Sequence, residues 1–154
     1  MAQYKPATKQ ELQYLVQDET IYLGNINTSL ITDMSGLFEF SKREDFRGIE
    51  TWDVSNVTNM VGIFYGTAQF NQNINSWDVS NVTDMAWMFC GAKSFNQDIS
   101  GWDVSNVINM EAMFRGAVNF DQNISIWNVS GVKNMTKMLS DSRLKNHPPS
   151  WYHE

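Results

Sequence analysis

The nine residues Trp77-Asp78-Val79-Ser80-Asn81-Val82-Thr83-Asp84-Met85 are the unit from which most of this chain is built. The same pattern begins at Trp52 and at Trp102, 25 residues to either side, and recurs in a weaker form from Trp127. A fixed interval of this size is typical of a solenoid, in which each repeat buries its apolar face only against its neighbours. The sequence therefore predicts a repeat solenoid.

Two hydrophobic periods alternate within each repeat. Trp102-Asp103-Val104 alternates as a strand does, whereas Met110, Met113 and Phe114 recur at i, i+3 and i+4, as in a helical turn. We therefore expect an α/β repeat solenoid of about five coils, with a parallel sheet on one face and short helices or 3₁₀ turns on the other. Each helical piece would end at a glycine in the left-handed conformation: Gly66, Gly91 and Gly116.

The chain divides into three predicted segments. Thr8 and Glu11 stand three residues apart, as in a capping box, ahead of an apolar stripe, and predict a short helix. An insertion over residues 40–45 gives the first coil a surface bulge. Near the other end, Trp151 lies 24 residues after Trp127, close to the repeat interval, and favours a cap over a frayed tail, because a covered sheet edge avoids pairing with another chain. The segments are a capping helix with its lead-in, the solenoid, and a C-terminal cap or tail: residues 1–22, 23–139 and 140–154.

Charge and hydropathy disfavour several partners. Eleven Lys and Arg against 17 Asp and Glu give a net charge of −6, which disfavours nucleic acid because phosphate binding needs a basic surface. No apolar run reaches the roughly 18–20 residues of a membrane span, and residues 1–20 lack a signal-peptide pattern. We expect a protein partner with a basic contact patch, no nucleic acid, no membrane span and a monomeric chain.

Catalytic and cofactor motifs are absent from the sequence. There is no G-x-S-x-G, no Gly-rich nucleotide loop and no Cys or His cluster with metal spacing. The single cysteine, Cys90, occupies the position of Tyr65 and Arg115 in neighbouring repeats, which indicates an outward residue rather than a nucleophile. We therefore expect no enzymatic activity, no cofactor and no metal site.

The repeat resembles a known family. The segment from Ile99 to Val107 has the L-x-x-L-x-L frame, and Met-x-x-Met-Phe-x-Gly-Ala and Phe-Asn-Gln-Asp-Ile-Ser accompany it. Together they resemble the BspA-like leucine-rich-repeat surface proteins of bacteria, whose 25-residue repeat also occurs in mycoplasma lipoproteins as a domain of unknown function. The resemblance covers about residues 23–139. It implies a curved solenoid used for binding or adhesion, at the cell surface or secreted; a cytoplasmic location is the alternative.

A column of polar residues would line the predicted sheet, because the residue between the inward Trp and Val points outward. It contains Asn27, Asp53, Asp78, Asp103 and Asn128, and Ser80 and Ser105 lie beside it. Three interpretations stay open. The carboxylates shape a turn by hydrogen bonding, they bind Lys or Arg of a protein partner, or they bind a hard cation such as calcium, which needs six to eight oxygen ligands.

Aromatic and amide residues form further columns. The repeated tryptophans are either core or a platform for carbohydrate. A second column predicts structural polar ladders at a corner, and it consists of two Asn and one Asp, each followed by Gln: Asn71, Asn96 and Asp121. Trp87 stands where other repeats have Gly62 and Ala112, and it is either a contact residue or partly buried. We expect a non-catalytic protein-binding module that uses the acidic column and Trp87, with a self-assembling scaffold or a carbohydrate-binding module as alternatives.

Overall fold

A computed structural model describes residues 2–154, which form a stack of repeats with little regular secondary structure. One α-helix, α1 (Lys9–Gln17), is followed by three 3₁₀ helices, at Leu23–Asn25, Ile49–Thr51 and Arg143–Asn146. Single parallel bridges link successive repeats through one residue of each, in this order: Asp33, Asn59, Asp84, Asn109 and Asn134. We number the repeats 1 to 5 by these five residues.

The predicted parallel sheet is wrong, and with it the leucine-rich-repeat solenoid, because residues 2–154 contain isolated bridges but no strand. The Trp-x-Val segment closes turns on itself instead of pairing with its neighbour. The N–H of Trp102 donates to the carbonyl of Ile99 at 3.1 Å, and the N–H of Val107 donates to Val104 at 2.9 Å. These groups are consequently not available for a backbone ladder between repeats.

Side chains connect the repeats where the sheet was expected. The indole N–H of Trp77 donates to the carbonyl of Ile49 at 3.0 Å, and the tryptophans of the other repeats make the same bond at 2.8–3.2 Å: Trp52, Trp102 and Trp127. All four tryptophans are only 3–4% exposed. The tryptophan column is therefore core, and it is not a surface on which carbohydrate could stack.

The segment that follows the Asx turn, which we call the Met segment and which runs from Met85 to Gly91 in repeat 3, is not helical either. In repeat 3, alternate N–H groups donate to carbonyls of repeat 4 at 2.7–2.9 Å: those of Met85, Trp87, Phe89 and Gly91. The N–H groups between them close short turns within the repeat, as that of Cys90 does on Trp87 at 3.1 Å. The predicted helix or 3₁₀ turn is thus replaced by consecutive turns, which carry four backbone hydrogen bonds to the next repeat.

Each Met segment holds two residues with positive φ. The first left-handed position lies two residues after the first Met of the segment and is occupied, in repeat order, by Gly36, Gly62, Trp87, Ala112 and Lys137. The second lies four residues later and is occupied by Phe40, Gly66, Gly91, Gly116 and Asp141. A side chain at such a position costs roughly 1–2 kcal/mol, so glycine is favoured. The predicted left-handed glycines are confirmed, although no helix ends at them.

Stacked phenylalanines fill the interior of the repeats. The rings of Phe64 and Phe89 lie 5.7 Å apart at 12°, and those of Phe89 and Phe114 lie 5.6 Å apart at 8°. All three side chains are fully buried. Burying each contributes roughly 1.5–3 kcal/mol, and because every ring contacts the ring of the next repeat, this energy is shared between neighbours.

An amide ladder forms the corner beside this core, as predicted. Asn71 Oδ1 accepts the N–H of Asn96 at 2.9 Å, and Asn96 Oδ1 accepts the N–H of Asp121 at the same distance. Gln97 Nε2 donates to both the carbonyl and the side chain of Asn71 at 3.0 Å, and Gln122 repeats this on Asn96. The amides therefore satisfy backbone groups at a bend.

The predicted N-cap of α1 is confirmed, but the reciprocal bond of the capping box reaches one residue further back than predicted. Thr8 Oγ1 accepts the N–H of Glu11 at 3.2 Å, and Glu11 Oε2 accepts the N–H of Ala7, one residue before the cap, at 2.7 Å. Leu12 and Val16 are buried. The helix therefore covers the apolar end of the stack.

Arg43 connects the C-terminal end of α1 to the stack of repeats by hydrogen bonds. Its side chain is buried, and its guanidinium donates to the carbonyls of Val16, Asp18, Ile21 and Asp45. The insertion that was predicted as a surface bulge therefore turns inward at Arg43. Four carbonyl acceptors compensate for removing this charge from water.

The C-terminal segment contacts the last repeats. Trp151 Nε1 donates to the carbonyl of Ile124 at 3.3 Å, which continues the bond pattern of the earlier tryptophans. Asp121 forms an ion pair with Arg143, with 2.9 Å between Oδ2 and Nε, and its Oδ1 lies 2.5 Å from His147 Nε2. These contacts favour the cap over a frayed tail. The division of the chain at residues 22 and 139 stays a prediction.

Candidate functional site

The acidic column lies on a series of identical turns. In three successive repeats, one carboxylate oxygen accepts both the N–H and the hydroxyl of the serine two residues later. The N–H bonds measure 3.0–3.1 Å and the hydroxyl bonds 2.6 Å, and the pairs are Asp53 with Ser55, Asp78 with Ser80, and Asp103 with Ser105. Such a turn, closed by an Asp or Asn side chain, is an Asx turn.

Asparagine makes the same turn at the two ends of the column. Asn128 Oδ1 accepts the N–H of Ser130 at 3.2 Å and its hydroxyl at 2.7 Å, and Asn27 accepts the N–H of Ser29 at 3.0 Å. Asp and Asn share the acceptor oxygen but differ in charge. The turn therefore closes with either acceptor, and a negative charge strengthens its hydrogen bonds without being required for them.

The serines of the column are held from the next repeat as well. Asn81 Nδ2 donates to the carbonyl of Ser55 and Asn106 Nδ2 donates to that of Ser80, both at 2.7 Å. Each Asx turn is thus fixed by its own repeat and by its neighbour. The exposed carboxylates of the column are consequently presented from a preorganised backbone.

Hydrogen bonding stabilises the charged form of two of these carboxylates. The hydroxyl of Ser105, and then its backbone N–H, lowers the pKa of Asp103 below its ordinary value. Ser55 lowers the pKa of Asp53 in the same way. Both residues therefore stay ionised at neutral pH and carry charge on the surface.

Trp87 belongs to a different part of the repeat from the acidic column. It takes the first left-handed position of repeat 3, with φ 60°, and its ring packs edge-on against Tyr65 at 5.7 Å. It is half-buried. Among residues 2–154, no hydrogen bond or aromatic contact joins Trp87 to the column, so the predicted site residues form two separate groups.

Two residues near Tyr65 and Trp87 were not among the predicted site residues. Phe40 packs against Tyr65 at 4.8 Å between ring centroids, and Glu39 lines a groove with Tyr65 and Trp87. Phe40 was assigned to the insertion, whereas it occupies the second left-handed position. The sequence did contain a signal for this position, because Phe40 is a bulky residue where later repeats have glycine: Gly66, Gly91 and Gly116.

Other candidate chemistry receives little support. Cys90 is buried, which corrects the predicted outward position, and burial raises the pKa of its thiol. Across residues 2–154, no three His, Cys, Asp or Glu side chains converge in a way that could hold a metal ion. Within the same residues, no helix has both the length and the apolar character needed to cross a membrane.

These features define a protein built of stacked 25-residue repeats, in which successive Asx turns each carry one residue of the acidic column. The family described as "Mycoplasma protein of unknown function, DUF285" matches residues 32–151, and the chain belongs to this family. Comparisons with curated proteins and with solved structures found no match. The finer resemblance to BspA-like surface proteins stays a prediction.

Proposed function

We propose that this chain is a non-catalytic module that binds a protein with a basic contact patch through the acidic column. The observation that carries the proposal is the regular placement of Asp53, Asp78 and Asp103, which expose one carboxylate per repeat in the same turn. No Lys, Arg or His of residues 2–154 forms an ion pair with any of the three.

The physical argument rests on charge and rigidity. Because each carboxylate is fixed by two local hydrogen bonds, little conformational freedom is lost when a basic side chain approaches. Like charges in successive repeats also raise the local negative potential, which speeds the encounter with a basic surface. A partner that neutralises the column relieves this repulsion, so the column contributes more to binding than to folding.

The test is a variant in which Asp53, Asp78 and Asp103 are all changed to Asn. Since Asn27 and Asn128 close the same turn, the change removes charge and keeps the hydrogen bonds. Partners captured from cell extract and from host-cell surface protein are identified, and their affinity for parent and variant is then measured. We expect at least tenfold weaker binding by the variant with an unchanged melting temperature.

A matched control adds charge instead of removing it. Asn128→Asp extends the column by one carboxylate in the same turn, and we expect it to tighten binding of the same partner, with an effect that shrinks at high salt. The proposal is rejected if the parent and the triple Asn variant bind every captured partner with equal affinity. The column would then have only a structural role.

A self-assembling scaffold is a second candidate, favoured by one observation. The four inter-repeat bonds that leave each Met segment have no counterpart after repeat 5, where no backbone carbonyl of residues 2–154 accepts the N–H of Met135 or Lys137. An uncovered row of donors can pair with another chain. Sedimentation over a wide concentration range tests this, because a scaffold sediments above 17.7 kDa as concentration rises.

A further inference from the structure

Three aromatic side chains form a row across repeats 1 to 3. Phe40 contacts Tyr65 at 4.8 Å between ring centroids, and Tyr65 contacts Trp87 at 5.7 Å. Phe40 is 58% exposed, and the other two are half-buried. The aromatic row is therefore a surface feature, in contrast to the buried tryptophan and phenylalanine columns.

The two ends of the row are held in strained backbone. Phe40 has φ 51° and Trp87 has φ 60°, at positions that glycine occupies in neighbouring repeats. Glycine adopts this left-handed conformation without the steric strain that a side chain causes. Because the fold is better served by glycine, the aromatic side chains call for a functional explanation.

A groove of about 330 Å³ lies beside the row, and the Glu39 carboxylate is part of its lining. Tyr65, Trp87, Glu39 and Lys9 line it. Lys9 is already engaged, since its Nζ lies 2.6 Å from a serine hydroxyl and 3.8 Å from the carboxylate of Asp33. The Glu39 carboxylate has no hydrogen-bond or ion-pair partner among residues 2–154. A carboxylate beside two aromatic faces is complementary to a cation.

We propose that this groove binds the guanidinium group of an arginine side chain from a protein partner. A planar guanidinium stacks on one of these two rings, which stand at 63° to each other, while its N–H groups donate to Glu39. Lysine would satisfy the charge but has no plane to stack. A quaternary ammonium has no N–H for Glu39, and it suits a cage that surrounds it rather than a row open on one side.

This site is independent of the acidic column, and the probes are chosen to show that. Fluorescently labelled tetra-arginine and tetra-lysine peptides are titrated with the protein, and the ratio of their dissociation constants is compared between variants. Attraction to the overall negative charge raises the affinity of both peptides by a similar factor. It therefore has little effect on the ratio of their dissociation constants. We expect tetra-arginine to bind the parent about threefold more tightly than tetra-lysine, as a cation–π contact at a partly exposed site allows.

Two variants of the groove are compared with one of the column. Trp87→Gly restores the residue found at this position in repeats 1 and 2, and Glu39→Gln removes only the charge. In both, we expect the ratio to fall to about one without a fall in the melting temperature. The Asp53→Asn, Asp78→Asn, Asp103→Asn variant should bind both peptides more weakly, with an unchanged ratio of dissociation constants. The two proposals can therefore fail independently of each other.

Three results would overturn the proposal. The first is a ratio of one in the parent, and the second is a ratio that survives Trp87→Gly or Glu39→Gln. The third is displacement of labelled tetra-arginine by choline chloride well below the concentration at which sodium chloride acts, which would reassign the groove to quaternary ammonium ligands.

Discussion

The indole N–H of Trp77 donates to the carbonyl oxygen of Ile49, 3.0 Å away in the preceding repeat. This bond is buried, and the same carbonyl also accepts the backbone N–H of Trp52 at 3.1 Å. Trp77→Phe keeps an aromatic ring but removes one of the two donors to this carbonyl, so we expect a loss of about 0.5–1.5 kcal/mol in the free energy of unfolding, measured with urea. Trp151→Phe, at a half-buried position, should lose less, and equal losses would contradict this account.

Glycine should stabilise the protein where a side chain occupies a left-handed position. Lys137 is exposed with φ 58°, and we expect Lys137→Gly to raise the free energy of unfolding by about 0.5–1 kcal/mol. Lys133→Gly, an exposed control outside those positions, should lower it or leave it unchanged. Thermal unfolding of both variants checks the sign, and stabilisation by both would point to charge removal instead of backbone strain.

The acid stability of the fold should depend on the serines of the Asx turns. Because Ser105 lowers the pKa of Asp103, the stabilisation is present above the unfolded-state pKa of about 4 and is lost as pH falls through the lower folded-state pKa. Ser105→Ala should therefore flatten the fall in stability below pH 4, as followed by urea unfolding between pH 2 and 6. Ser150→Ala, outside the turns, is the control and should leave the pH profile unchanged.

Arg43 should be the most sensitive charged residue in the chain. Arg43→Lys retains the charge but cannot reach four carbonyls at once, so we expect a loss of at least about 2 kcal/mol in the free energy of unfolding. Arg47→Lys alters an exposed pair with Asp45 and should leave the free energy of unfolding nearly unchanged. Similar unfolding midpoints for the two variants would show that Arg43 does not fasten α1.

Much of the packing could be predicted from the spacing of residues. The period of 25 placed Trp, Val, Met and Phe inside, and it aligned the amides that form the corner ladder. The capping box before α1 also needed only local sequence. These features depend on which residues recur, and recurrence is visible in a single chain.

The sheet was mispredicted because alternation of buried and exposed residues does not identify a strand by itself. In Trp102-Asp103-Val104, a tight turn places the side chains inward, outward and inward just as a strand would. What distinguishes the two is where the backbone N–H groups donate. The Asp-x-Ser or Asn-x-Ser pattern that directly follows each repeated Trp indicated an Asx turn, and the glycines of the Met segment indicated left-handed backbone.

The candidate site was partly predictable for the same reason. The acidic column follows from the repeat, whereas the groove beside Trp87 combines residues from three repeats with Lys9 of α1. No periodic pattern contains Phe40 or Glu39. Aligning repeat positions by backbone conformation instead of hydropathy brings Phe40 into register with Gly66.

The interchange of Asp and Asn within the Asx turns separates surface charge from folding. A single nucleotide change converts one residue into the other, and the hydrogen bonds of the turn persist, as Asn128 and Asp103 show. Duplication of a repeat followed by such changes can therefore produce surfaces of graded potential on one architecture. Recognition can diversify in this way while the interior of the protein stays under separate selection.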